Sequence, residues 1–195
     1  MVATLVLYSC DTKKSEHSTD HDHSEAETNE QTQQTEIQAP DYSTISSEIK
    51  DQINTIFKTY LDLKNAFVST NNEEAKKAAQ QLASGVDKVD SSKIEGEVKT
   101  FIITHVSAIK ESANQIASAK DIESQRSNLD KLSSSLYLLM KSTGSSPETV
   151  YYQYCPMAQD NKGGYWISEN EEIKNPYFGD KMMSCSETKE TLSQN

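Results

Sequence analysis

The stretch ISSEIKDQINTIFKTYLDLKNAF, residues 45–67, decides the fold class. Its apolar residues fall at Ile45, Ile49, Ile53, Ile56, Tyr60, Leu63 and Phe67, in steps of four, four, three, four, three and four. That spacing puts all seven on one stripe of an α-helix, the face that a bundle buries. Asn71 and Asn72 follow, then Glu73 and Glu74. Either Asn can accept a bond from a free N–H at a helix start, and the two acids suit the positive end of the helix dipole.

Working outward, the helical spacing continues. A second, alanine-rich helix turns Ala75, Ala79, Leu82, Val86 and Val89 inward, and Asp90, Ser91 and Ser92 break it. A third carries Ile94, Val98, Phe101, His105, Ala108, Ser112 and Ile116. A fourth starts near Asp121, carries Ile122, Leu129, Leu132, Leu136, Leu139 and Met140, and stops at Gly144, a residue suited to a left-handed C-terminus. Short breaks between amphipathic helices favour antiparallel neighbours. The expected fold is therefore all-α, an antiparallel four-helix up-and-down bundle with an irregular aromatic C-terminal segment; frequent breaks disfavour a long coiled coil.

Composition agrees and excludes several functions. The chain has 195 residues, 19 basic against 30 acidic, and only six Gly and four Pro. Neutralising phosphates takes clustered Lys and Arg, and Arg126 is the single arginine, so a nucleic-acid binder is not expected. Neither a nucleophile–base spacing, a phosphate loop nor an HExxH zinc motif occurs, so no enzyme is expected either.

The N-terminal region reads as a targeting device. Residues 1–9 (MVATLVLYS) are mostly apolar and run into Cys10, with Leu7, Tyr8, Ser9 and Cys10 matching the end of a bacterial lipoprotein signal. A positive n-region is missing, which suggests a late start codon. Lipidation of Cys10 would tether the protein to a membrane of the cell envelope, as a periplasm-facing or outer-membrane lipoprotein, in an oxidising compartment. Residues 10–40 form an acidic linker: from Asp11 onward there are eight acids and two lysines, with Ile37 the one aliphatic residue beyond alanine. Such a stretch buries too little apolar area to offset its chain entropy. His17, His21 and His23 lie in it among carboxylates and make a possible secondary site for Zn(II), Cu(II) or Ni(II). A plain solvated spacer is the alternative. The bundle domain is expected over residues 41–192.

Two polar residues interrupt the helical stripes. His105 falls on an inward position, where a lone His is more often a core residue than a ligand. Arg126 has two readings, an ion pair with an acid such as Glu97 or Glu123, or a tether that pins the C-terminal segment to the bundle.

After Pro147 the character changes. Residues 150–195 hold the only tryptophan, five of nine tyrosines, three of five methionines and two of three cysteines. Gly163-Gly164 and Asn175-Pro176 supply turns, so the segment 150–187 reads as an aromatic loop or short strands laid over the bundle. Cys155 with Met157, and Met182 and Met183 with Cys185, are pairs of soft donors suited to Cu(I) or Ag(I), and a two-residue offset brings both sulfurs of a pair to one side of an extended chain. His105 or the Trp166 face could complete a low-coordinate site. Equally, Cys155 and Cys185 could close a disulfide worth about 3–4 kcal/mol by loop entropy, with the methionines as packing residues.

The composite YCPMA (154–158), GYWIS (164–168) and IKNPYFGDKMMSC (173–185) resembles a bacterial envelope family, domain of unknown function 3347. The resemblance extends upstream through YLDLKNA (60–66) and Gln125-Arg126, so that it spans about residues 42–192. It implies a small lipoprotein, or a module otherwise fused to periplasmic adaptor subunits of copper/silver efflux pumps, and hence a metal-handling role for Cys155, Met157, Met182, Met183 and Cys185. Ser186 stands where the family pattern leads one to expect glycine. The resulting expectation is a lipid-anchored protein that binds a soft ion and buffers it or passes it to an efflux adaptor. The alternative is a non-metal interaction module whose flap is locked by a Cys155 to Cys185 disulfide.

Overall fold

The computed structural model describes residues 36–146, 148–182 and 186–193. Five helices come first: α1 (Ser47–Val68), α2 (Asn72–Val86), α3 (Gly96–Ser118), α4 (Ile122–Arg126) and α5 (Leu129–Thr143). Three strands follow, β1 (Val150–Cys155), β2 (Gly164–Ser168) and β3 (Glu187–Leu192). They form one antiparallel sheet in the order β2-β1-β3. The all-α bundle expected from the sequence is therefore wrong, because the C-terminal third makes a sheet: the fold is mixed, helices first and sheet second.

The helical half follows its stripes. Ile49, Ile53, Ile56, Tyr60, Leu63 and Phe67 of α1 are all buried. Asn71 caps α2 by accepting from the Glu74 N–H at 3.1 Å, and Ala75, Ala78, Ala79 and Leu82 bury against the neighbouring helices. α1 packs on α2, α2 on α3 and α3 on α5. The expected fourth helix is two: Ser127 and Asn128 separate α4 from α5. Gly144 ends α5 in the left-handed conformation at φ 62°, as its position implied. No helix among the described residues is long and apolar enough to cross a membrane.

The sheet forms because both faces of β1 are covered. Tyr152 lies against the helices, its ring stacked 3.8 Å from Tyr137 of α5 and its hydroxyl 2.9 Å from Ser134 Oγ. Gln153 on the opposite face is fully buried and donates to the Asn170 and Glu171 carbonyls. β2 is an edge strand, and its outward N–H groups are not left open. Tyr165 N–H donates to Asp130 Oδ1 at 2.8 Å and Ile167 N–H to Tyr60 Oη at 2.9 Å. Tyr60 Oη also bonds Ser133 Oγ at 2.8 Å. Helix side chains thus take the place of a further strand on that edge.

Candidate functional site

Cys155 ends β1 as a fully buried thiol, paired in register with Gly164. The absence of a side chain at Gly164 lets the Tyr177 ring lie on β2: a Cβ there would come within 2.5 Å of Tyr177 Cζ. Tyr177 donates its hydroxyl to the Tyr165 carbonyl at 2.7 Å and sits edge-on to Trp166, with ring centroids 6.0 Å apart. Burial pushes the Tyr177 phenol well above its usual range, and the charges of Asp130, Tyr60, Tyr152 and Cys155 add to the shift. Asn175, itself fully buried, accepts from the Tyr177 N–H at 2.9 Å and donates to Ser186 Oγ at 3.3 Å. One amide therefore fixes the aromatic hub and joins it to the residue that follows Cys185 in the sequence.

Arg126 anchors this assembly to the helices. Its Nε donates to the Pro176 carbonyl at 2.8 Å, and its Nη2 donates to the Phe67 carbonyl at 2.7 Å and to Thr70 Oγ1 at 3.0 Å. The tether reading of Arg126 fits these bonds, whereas Glu123 acts on it only through space.

Beside the hub lies a cleft of about 620 Å³ between α4 and the β1–β2 connection. Arg126, Met157, Gln159, Lys162, Tyr177 and Phe178 contribute to its walls, as do the acids Glu123 and Asp160. The connection contains three consecutive non-glycine residues in left-handed conformation, Gln159, Asp160 and Asn161, at φ 52°, 57° and 64°. Each costs on the order of 1 kcal/mol, less for Asp and Asn, so packing must hold this turn in place. Gly163 at φ 87° closes it, where a Cβ would collide with the Tyr154 hydroxyl.

The expected ligands are distributed unevenly. Cys155 is interior, while Met157 is 41% exposed in the cleft wall. Extended chain ends at Cys155, and Met157 lies in a turn at φ −88°, ψ −7°, so the two sulfurs are not related by strand geometry. Met182 is half-buried after a 3₁₀ turn at Gly179–Lys181. Met183 and Cys185 lie outside the described residues, as do Cys10, His17, His21 and His23.

His105 is not brought to Cys155. Its ring packs 4.4 Å from Phe101, Phe101 packs 5.3 Å from Tyr42, and Tyr42 N–H donates to the Ser142 carbonyl near the end of α5. Cys155 lies by the start of α5, where Asp130 holds Tyr165. Twelve residues of helix, about 18 Å, separate those two anchor points. Burial lowers the His105 imidazole pKa, with no charged partner involved. Among the described residues no three His, Cys, Asp or Glu side chains gather into a metal-binding group.

Sequence reasoning missed Asn175, Tyr177 and Gln159. Asn175-Pro176 was legible as a turn, and a turn-forming Asn often bonds the backbone two residues on. Nothing local marked Gln159.

No curated protein and no solved structure matches the chain. A family model matches residues 56–148, from within α1 to the approach of β1, so the sulfur-bearing segment lies beyond the matched region. The matching family is described as protein of unknown function (DUF3347), the one the sequence resembles, and over that helical region the chain is similar to it.

Proposed function

We propose that this chain is a soft-metal binding protein of the cell envelope, tethered by lipid at Cys10, that holds Cu(I) or Ag(I) and buffers it or hands it to an efflux adaptor. The ligands are drawn from Cys155, Met157, Met182, Met183 and Cys185. The observation that carries the reading is the β1–β3 register. Tyr154 pairs with Glu187, the first residue of β3, and Cys185 stands two positions before Glu187 in the sequence. The end of β1 that carries Cys155 therefore lies beside the head of β3. Thiolate and thioether are polarisable donors that favour Cu(I), and a buried thiolate requires a cation beside it. His105 is left out of the ligand set because it stands at the other end of α5.

The test is an anaerobic competition between the purified chain and a chromogenic Cu(I) chelator. Submicromolar affinity that disappears in Cys155→Ser is expected. Equal affinity in Cys155→Ser overturns the assignment and moves binding elsewhere, to His17, His21 and His23 first. A mass lighter by two hydrogens in every unreduced preparation favours instead the disulfide-locked interaction module.

A further inference from the structure

We propose that the cleft beside α4 binds a monocarboxylate carried on an apolar body, gripped by Arg126 Nη1 and the Gln159 side-chain amide. This inference is independent of the soft-metal reading and uses none of its sulfur donors as ligands. Arg126 is only 6% exposed and lines the cleft. Its Nε and Nη2 are committed to Pro176, Phe67 and Thr70, and Nη1 takes no part in those bonds. Gln159 lines the same cleft, and its Nε2 is buried without a hydrogen-bond partner. A buried amide donor left unpaired is costly, and a carboxylate offers one oxygen to such a donor and a second to a guanidinium.

The charge around the cleft narrows the class. Arg126 and Lys162 are offset by Glu123 and Asp160, so the walls carry no net charge. A phosphate dianion would bring a second negative charge against those acids, whereas a single carboxylate takes one oxygen to the guanidinium and the other to the amide. Phe178 supplies an apolar surface for the rest of the ligand. The carboxylate could belong to a free small acid or to the C-terminus of a polypeptide, and both present the same group.

The probes are N-acetyl-phenylalanine, its carboxamide, inorganic phosphate and a pentapeptide ending in phenylalanine, each titrated calorimetrically into the full chain. The acid is expected to bind, and the carboxamide to bind at least about tenfold more weakly, the counterpart of one charge-assisted hydrogen bond. Gln159→Glu, of the same shape but repelling the carboxylate, is expected to weaken the acid by at least about tenfold with an unchanged circular dichroism spectrum. Tighter binding of the pentapeptide assigns a polypeptide C-terminus as source, and equal affinity assigns a small acid. Equal binding of acid and carboxamide, no heat from the acid, phosphate binding as well as the acid, or indifference to a folded Gln159→Glu overturns the proposal. The acid–carboxamide comparison needs no variant and holds even where Gln159→Glu fails to fold.

Discussion

Replacing Arg126 by Met removes the guanidinium while keeping most of its volume. Three hydrogen bonds go: those to the Pro176 carbonyl, the Phe67 carbonyl and Thr70 Oγ1. The Phe67 carbonyl keeps the Thr70 N–H as a partner, so its loss is partly covered. The Pro176 carbonyl, beside the buried Tyr177, loses its charged donor. Bonds from a charged donor are worth about 1.5–3 kcal/mol each, but the buried guanidinium had to give up water to make them. The net cost of Arg126→Met is then about 2–4 kcal/mol, which for a chain of this size lowers the melting temperature by roughly 4–16 °C. Arg126→Lys should fall between, since one ammonium cannot span three acceptors on two segments. Urea unfolding followed by two signals gives the check. Helix content reads α1 to α5, while Trp166, the sole tryptophan, fully buried and edge-on to Tyr177, reads the tethered segment. In Arg126→Met the fluorescence transition should move to lower urea and precede the loss of helix. A change below about 1 kcal/mol, with both signals still coincident, would refute the idea that this side chain is a principal tether of the C-terminal segment beside Asp130 and Tyr60.

Gly164→Ala places a methyl 2.5 Å from a Tyr177 ring that is itself pinned through its hydroxyl, so a destabilisation of about 1–3 kcal/mol is expected in the same urea assay, and a neutral result would show that Tyr177 can yield. Asp130 has its carboxyl raised above the ordinary 3.8 by burial, although the Tyr165 N–H bond opposes the shift. A carboxyl raised on folding adds stability that is complete below its unfolded pKa and fades as pH climbs through the folded one. Asp130→Asn retains an acceptor for Tyr165, so unfolding free energies measured in steps upward from about pH 4 should decline less than in the parent, and an identical slope in both proteins would contradict the assignment.

The helices were legible because each buries one stripe, and a stripe survives in sequence as a period: Ile49 through Phe67 could be placed inward with no structure at all. β1 was harder for the same physical reason turned around. Its residues VYYQYC meet α5 through Tyr152 and the loop at Asn170 and Glu171 through Gln153. A strand covered on both sides loses the polar–apolar alternation that announces a strand. The break at Ser127 and Asn128 was invisible because Leu129 and Leu132 continue the apolar spacing past it. At the site, the proximity of Cys155 and Met157 in sequence invited an extended-chain argument, but Pro156 begins a turn that separates a buried thiol from a half-exposed thioether. Arg126 was legible as a tether because a lone guanidinium in an acidic chain stands out. Gln159 was not, since its importance comes from a left-handed turn that no local signal demanded.

The way β2 is held bears on what a ligand could do here. An edge strand ordinarily exposes alternate N–H groups, yet those of Tyr165 and Ile167 are taken by Asp130 of α5 and Tyr60 of α1. Tyr60 is buried at the middle of the helical core, so the sheet cannot leave without uncovering a polar hydroxyl inside it. Arg126 ties the Pro176 carbonyl to the end of α1, and Asn175 ties the same loop to Ser186 at the head of β3. Helices, sheet and C-terminal loop therefore share polar contacts that none of them satisfies alone, which is the condition for a single cooperative unit. A ligand that engages the loop or the cleft stabilises that whole unit by mass action, helices included, rather than ordering a detached flap. A ligand bound in the cleft beside α4, as proposed, would then be felt at α1 through Arg126.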